Sequence, residues 1–291
     1  VTPSLASFGR AAGAFALPWT FAGRPLTLHC YRPQGLGAQA PLVLVQHGML
    51  RNGDDYRDFW VDAAQRHGLQ IVATTFGNDH WPGVENYNNA AVWAPDGSVT
   101  PASQWACQAL PALVAQLRRE SALHADARVY LFGHSAGGQL VHRLVSLCGM
   151  QGLAGVVAAN PGWYTLADDT LVFPEGLAGI GLPPHALARL LAAPLVVLAG
   201  DHDTDTADPN LPAEPAALRQ GPHRYARALY YHEHARQQAS RLGVPFAWHL
   251  QHVPGIGHDG QAMSAVCAHW WFEGGTPSAD ALAGLAGRTV S

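Results

Sequence analysis

The sequence predicts an α/β protein: a single domain built on a mostly parallel central sheet flanked by helices, with a short lid-like insertion. Three observations carry that expectation. First, short and almost wholly apolar runs recur at 42–46 (LVLVQ), 69–75 (LQIVATT), 128–132 (RVYLF), 153–158 (LAGVVA), 195–199 (LVVLA) and 246–251 (FAWHLQ). Continuous rather than alternating hydrophobicity marks strands covered on both faces, as parallel strands are. Second, longer stretches at 55–67, 101–123, 136–148, 222–242 and 260–272 alternate with those runs and read as helices. Such alternation implies one sheet with right-handed crossovers. Third, 291 residues that are 48% hydrophobic and 13% charged suffice to close a core, and neither a linker nor an internal repeat divides them.

The individual elements follow in chain order. Apolar runs at 14–21 and 26–31 meet at Ala22-Gly23-Arg24, an edge hairpin over about 14–31. Thr100 followed by Pro101 starts a helix, because proline lacks an N–H that the first turn would leave unpaired anyway. Pro111 inside that stretch predicts a kink. Three long excursions, 76–99, 160–193 and 201–221, interrupt the alternation. Long connections beyond strand ends are where open α/β sheets build their sites. The excursion at 160–193 reads as the lid, long enough for a helical flap.

Composition removes several function classes. All 17 basic side chains are arginine, so Schiff-base chemistry and a P-loop lysine are excluded. A net charge of -4 without any basic run gives a nucleic-acid partner no electrostatic footprint. No apolar run approaches the ~20 residues of a membrane span. Residues 11–19 resemble a weak signal core, but the strand pattern continues through Trp19 and Phe21, and they read as the first strand; cytoplasmic and exported locations both stay open. Cys30, Cys107, Cys148 and Cys267 show no C-x-x-C spacing, which favours free buried thiols over a zinc site, with one or two bridges open if the protein is exported.

The chemistry concentrates at Gly133-His134-Ser135-Ala136-Gly137-Gly138, a G-x-S-x-G that follows one predicted strand and precedes a predicted helix. Small residues around the serine permit a strained turn that lifts its hydroxyl above the sheet. On this motif and its setting the chain resembles the α/β-hydrolase superfamily, over about residues 26–272. Its layout is most similar to the compact dienelactone-hydrolase and polyhydroxybutyrate-depolymerase type. The resemblance implies a nucleophile at Ser135, followed in the chain by an acid and then a histidine. The acid lies in Gly200-Asp201-His202-Asp203, where the family's acid turn points to Asp203 with Asp201 a close alternative. The histidine is His258 in Gly257-His258-Asp259-Gly260. Two oxyanion donors are expected, the backbone amides of Ala136 and of Met49, the latter in His47-Gly48-Met49, which resembles the family's HG-x turn.

Substrate contacts are expected from Trp81, Tyr87 and Trp93 in the first excursion and Trp163 in the second, since aromatic rings on polar loops offer flat apolar surface. The same rings also suit a minicore that pins the loop. Arg51 follows the oxyanion turn, placed either to receive a substrate carboxylate or to pair with Asp54, Asp55 or Asp58. No metal is expected: Asp201 to Asp205 starts like a calcium loop but Thr206 and Pro212 occupy its glycine and glutamate positions. His232-Glu233-His234 lacks the histidine that H-E-x-x-H needs, since Arg236 stands at position 236. No G-x-G-x-x-G follows a strand, so no dinucleotide cofactor is expected. The reading is therefore a serine hydrolase of carboxylic esters, of short or medium acyl length or polyester units. Its alternatives are a polyaspartate-type amide hydrolase and a catalytically silent binding protein on the same fold.

Overall fold

The structure, a computed structural model, describes residues 5–286. One eight-stranded sheet organises them, with spatial order β1-β2-β4-β3-β5-β6-β7-β8. The strands are β1 (Gly13–Phe21), β2 (Arg24–Arg32), β3 (Leu42–Gln46), β4 (Gln70–Thr75), β5 (Val129–His134), β6 (Gly155–Ala159), β7 (Leu195–Gly200) and β8 (His249–Val253). Only β1 with β2 and β2 with β4 run antiparallel; every other neighbouring pair is parallel. Every residue of β3 and of β5 is buried, as a strand covered on both faces requires. The outermost β1 instead alternates, with Leu17, Trp19 and Phe21 turned inward. Ala22 and Gly23 both take positive φ, 50° and 76°, the backbone that a two-residue hairpin loop needs to match strand twist.

Apolar cores form on the two faces of the sheet. One gathers Leu44, Leu131, Leu140 and Trp105; the other gathers Val45, Trp60, Phe132 and Met263. Helix Ala136–Cys148 is buried over almost its whole length between the sheet and its neighbours. Among the described residues no helix is long and apolar enough to cross a membrane. The four cysteines are free thiols, and the sulfurs of Cys107 and Cys148 lie 3.3 Å apart.

Several local expectations are corrected. The helix expected at 55–67 is two, Gly53–Asp58 and Val61–His67, separated where Trp60 turns wholly into the core. Residues 101–108 form short 3₁₀ turns, and the α-helix begins at Ala109. Pro111 thus falls in the first turn, where its missing N–H costs no hydrogen bond. The last strand starts at His249 rather than 246, because Phe246 and Trp248 pack with Tyr231 in an aromatic cluster and the Trp248 indole donates to Leu190 O. The helical flap is absent as well. Residues 160–185 are irregular and end in one short helix, Ala186–Leu191. Pro161 to Ala167 are buried within the body, so this segment is built into the core rather than laid over it.

Candidate active site

Ser135 sits between β5 and the helix that starts at Ala136, with φ 57° and ψ -118°. For a residue with a side chain that backbone costs about 1–3 kcal/mol, and the surroundings must enforce it. Two bonds clamp the turn: the Ser135 amide donates to Ala159 O at 2.9 Å and the Gln139 amide to Ser135 O at 3.0 Å. The flanking glycines are required by crowding. A Cβ on Gly133 would strike the Gly137 carbonyl, and one on Gly137 would strike the carbonyl of Gln46 at the end of β3. Helix, elbow and neighbouring strand close on one another only without those side chains.

His258 and Asp203 arrive from two later strand ends. The Ser135 hydroxyl donates to His258 Nε2 at 3.0 Å, and His258 Nδ1 donates to Asp203 Oδ2 at 2.7 Å. Asp203 follows β7 and is 2% exposed. Its other oxygen faces the buried Arg224 guanidinium at 3.5 Å, which also pairs with Asp208 at 2.7 Å. Burial opposes ionisation of Asp208, but the Asn210 amide and Arg224 outweigh it and hold its carboxyl below the usual range. His258 precedes helix Gly260–His269, whose N-cap Asp259 accepts from the amides of Gln261 and Ala262. Asp201, the close alternative, points elsewhere: its carboxylate accepts from the Gly255 amide at 2.7 Å and braces the turn ahead of His258. Asn160 (φ 45°) does comparable work, donating to Gly257 O at 2.9 Å and accepting from the Gly200 amide at 3.0 Å.

Opposite the imidazole lies the turn after β3. His47 is buried; its Nε2 accepts from the Phe76 amide at 3.1 Å, which leaves Nδ1 to donate to Gly48 O at 2.9 Å. Burial pushes its pKa down to about 3, so the ring stays neutral and works as a brace. The Met49 and Ala136 amides have no protein acceptor among the described residues. Between this turn and His258 opens a cleft of about 440 Å³, lined among others by Met49, Leu50, Tyr56, Phe59, Asn210, Asp259 and Gln261. Leu50 at its mouth is 83% exposed. Asp259 is the only carboxylate in that lining, and no arginine belongs to it.

The residues expected to contact substrate are placed differently. None of Arg51, Trp81, Tyr87, Trp93 or Trp163 lines this cleft. Arg51 pairs with no aspartate either: it turns inward, donates to Phe76 O and Gly83 O at 2.8 Å each, and lies 4.4 Å over the Tyr87 ring. Tyr87 is buried and donates to His47 O at 2.8 Å. The Trp81 indole donates to Pro25 O, with the Arg24 guanidinium 3.6 Å over its ring. Trp93 donates to Phe173 O, and Trp163, 8% exposed, packs against Arg143. The aromatics of the first excursion form a minicore that carries the turn after β3. Sequence reasoning passed over Leu50, Tyr56, Phe59 and His134. Two signals were present: Tyr56 and Phe59 lie three apart in and just after the first helix beyond β3, and His134 lies inside the motif.

A serine elbow hydrogen-bonded to a histidine and a buried aspartate, on the C-terminal edge of a mixed eight-stranded sheet, defines the α/β-hydrolase class of enzyme. The comparisons agree, and the chain belongs to the α/β-hydrolase superfamily. It is 53% identical to LpqC, the poly(3-hydroxybutyrate) depolymerase of Bordetella parapertussis, over 97% of this chain and 98% of that one, with a TM-score of 0.94. It is 32% identical to poly(aspartic acid) hydrolase-1 from Sphingomonas sp. KT-1, over 88% of this chain and 97% of that one, with a TM-score of 0.84. Brefeldin A esterase, a bacterial protein 17% identical over 96% of this chain and 78% of that one, shares the fold alone, with a TM-score of 0.51. No protein-family model and no curated protein matches the chain.

Proposed function

We propose that this enzyme hydrolyses neutral carboxylic esters of short or medium acyl length, including units of an aliphatic polyester, through an acyl-enzyme on Ser135. The observation that carries the reading is the unbroken line from Ser135 Oγ through His258 to Asp203, at 3.0 and 2.7 Å, beside a cleft without a cation. In it, His258 Nε2 takes the serine proton as Oγ attacks the ester carbonyl, and Asp203 stabilises the imidazolium that forms. The oxyanion is received by the Met49 and Ala136 amides, fixed in advance by the His47 brace and by the elbow. His258 then returns its proton to the departing alcohol, and water repeats the sequence to release the acid. No step calls on a metal, and no group of three metal-ligating side chains occurs among the described residues.

Similarity to a poly(3-hydroxybutyrate) depolymerase at 53% identity supports an ester, and a polyester unit in particular. Similarity to a poly(aspartic acid) hydrolase keeps a second reading open, a polyanionic amide. The cleft favours the first, because Asp259 repels a carboxylate-bearing chain and no arginine offsets it there. A panel of p-nitrophenyl esters, 3-hydroxybutyrate oligomers and polyaspartate tests this. Butyrate should exceed palmitate and the neutral oligomers should exceed polyaspartate. Salt-sensitive cleavage of polyaspartate ahead of every ester would reverse the assignment. Labelling by a fluorophosphonate at Ser135, with turnover reduced about 10⁶-fold in Ser135→Ala, is the companion expectation. Full activity in that variant would end the serine mechanism.

A further inference from the structure

The cleft contains a second hydrogen-bonded pair that the acyl-enzyme route does not use. The Tyr56 hydroxyl lies 2.8 Å from His134 Nδ1, and both side chains are buried. Burial raises the phenol pKa, and the Gly48 backbone beside it works against that rise. That oxygen is wedged between two backbones: a Cβ on Gly48 would meet it at 3.2 Å, and one on Gly260 would meet it at 2.8 Å. Gly48 precedes the oxyanion donor, and Gly260 lies two residues after His258. His134 precedes the nucleophile, and its ring lies 4.6 Å from the His258 ring at 38°. One phenol oxygen therefore touches the segments that carry the oxyanion turn, the nucleophile and the base.

We infer that Tyr56 and His134 are positioning residues that hold the oxyanion turn and the His258 ring in register around the reacting carbonyl. The inference rests on the serine-hydrolase reading above. Phenol and imidazole touch neither Ser135 Oγ nor the His258 ring nitrogens by hydrogen bond. Their effect is on where the Gly48-Met49 peptide and the His258 plane stand. Burial, together with the neighbouring His258 and Arg224, holds the His134 pKa well below the ordinary histidine range. A neutral ring can back the imidazolium that His258 becomes during attack without repelling it. Because the oxyanion and the imidazolium exist only after attack begins, loss of this register should appear in kcat and spare substrate binding.

The test uses Tyr56→Phe, which deletes one oxygen, and His134→Phe, which keeps a ring but removes the nitrogen that bonds the phenol. Competent sites are counted by fluorophosphonate titration. For each variant kcat per titrated site, KM and the inhibition constant of a phenylboronic acid, which forms a tetrahedral adduct with the serine, are measured. Expected for both is a fall in kcat per site of about 10-fold or more, a KM within about twofold of wild type, and a boronate constant raised in parallel with the loss of kcat/KM. A merely structural role would reduce the titrated fraction and leave kcat per site and the boronate constant within about twofold; that result overturns the inference. So does a rise in KM alone. Ser135→Ala run alongside separates the two claims: turnover surviving there defeats the serine mechanism itself, whereas a dead Ser135→Ala beside a normal Tyr56→Phe defeats only the positioning role.

Discussion

Two aspartates two residues apart, Asp201 and Asp203, do different work because of what each one faces. Asp203 has an imidazole N–H at 2.7 Å and a guanidinium behind it; Asp201 has the amide of a turn. Asparagine in place of Asp203 preserves shape but can present an amide N–H to His258, which favours the wrong tautomer. Turnover should fall about 10⁴-fold. The same change at Asp201 weakens a charge-assisted bond to the Gly255 amide, so its main effect should be a loss of about 1–2 kcal/mol of stability. Steady-state turnover and thermal melting of the two variants check the contrast. An active Asp203→Asn beside an inactive Asp201→Asn would reverse the roles. Residues such as these were legible because each stands just past a strand whose end the sequence marks. Arg224 was not, since nothing local to a helix start 21 residues later says that it will reach Asp203.

Among the elements, the interior strands were the readable part. β3 is found where the apolar run 42–46 predicts it, because burial on both faces leaves no choice of residue. At the sheet edge the signal weakens: β8 is buried only at Val253, with His249 and His252 exposed, and its flanking aromatics belong to another cluster. Loops fail for a different reason. Sequence shows that 76–99 lies beyond a strand end, but not which way Trp81 or Tyr87 turns, and both turn inward. The loop's contribution is mechanical, through Arg51, Tyr87 and His47 to the turn after β3. Arg51→Ala should therefore leave the buried Phe76 carbonyl without its donor and cost about 1–3 kcal/mol, lowering turnover on neutral and anionic esters by the same factor. Denaturant unfolding and a paired comparison of the two substrates read this out. A selective loss on the anionic ester would restore Arg51 as a substrate contact.

Over the whole molecule, buried histidines couple the active-site scaffold to pH. His47 on the turn after β3, His134 in the elbow and His142 on the helix behind it are all desolvated, and burial lowers the pKa of each. His47 and His142 are also committed by acceptor bonds to backbone amides, from Phe76 at 3.1 Å and from Thr165 at 2.9 Å, which protonation would destroy. In the unfolded chain these rings titrate near ~6.5. The unfolded state therefore binds more protons than the folded state below that pH, and stability must rise with pH. The contribution is whole above about pH 7 and declines as pH falls through 6.5 toward the depressed folded values, by up to about 1.4 kcal/mol per pH unit for each histidine. Carboxylates enter only below about pH 5, so the interval from about 6.5 to 5 isolates the histidine effect. Urea unfolding at several pH values across that interval should show a midpoint falling with acidity, with a net uptake of more than one proton on unfolding. The loss should be reversible on return to neutral pH, because the cause is a protonation equilibrium. A midpoint flat from pH 7.5 to 5 would mean that these rings are accessible enough to be protonated in place, and the neutral brace assigned to His47 would have to be abandoned.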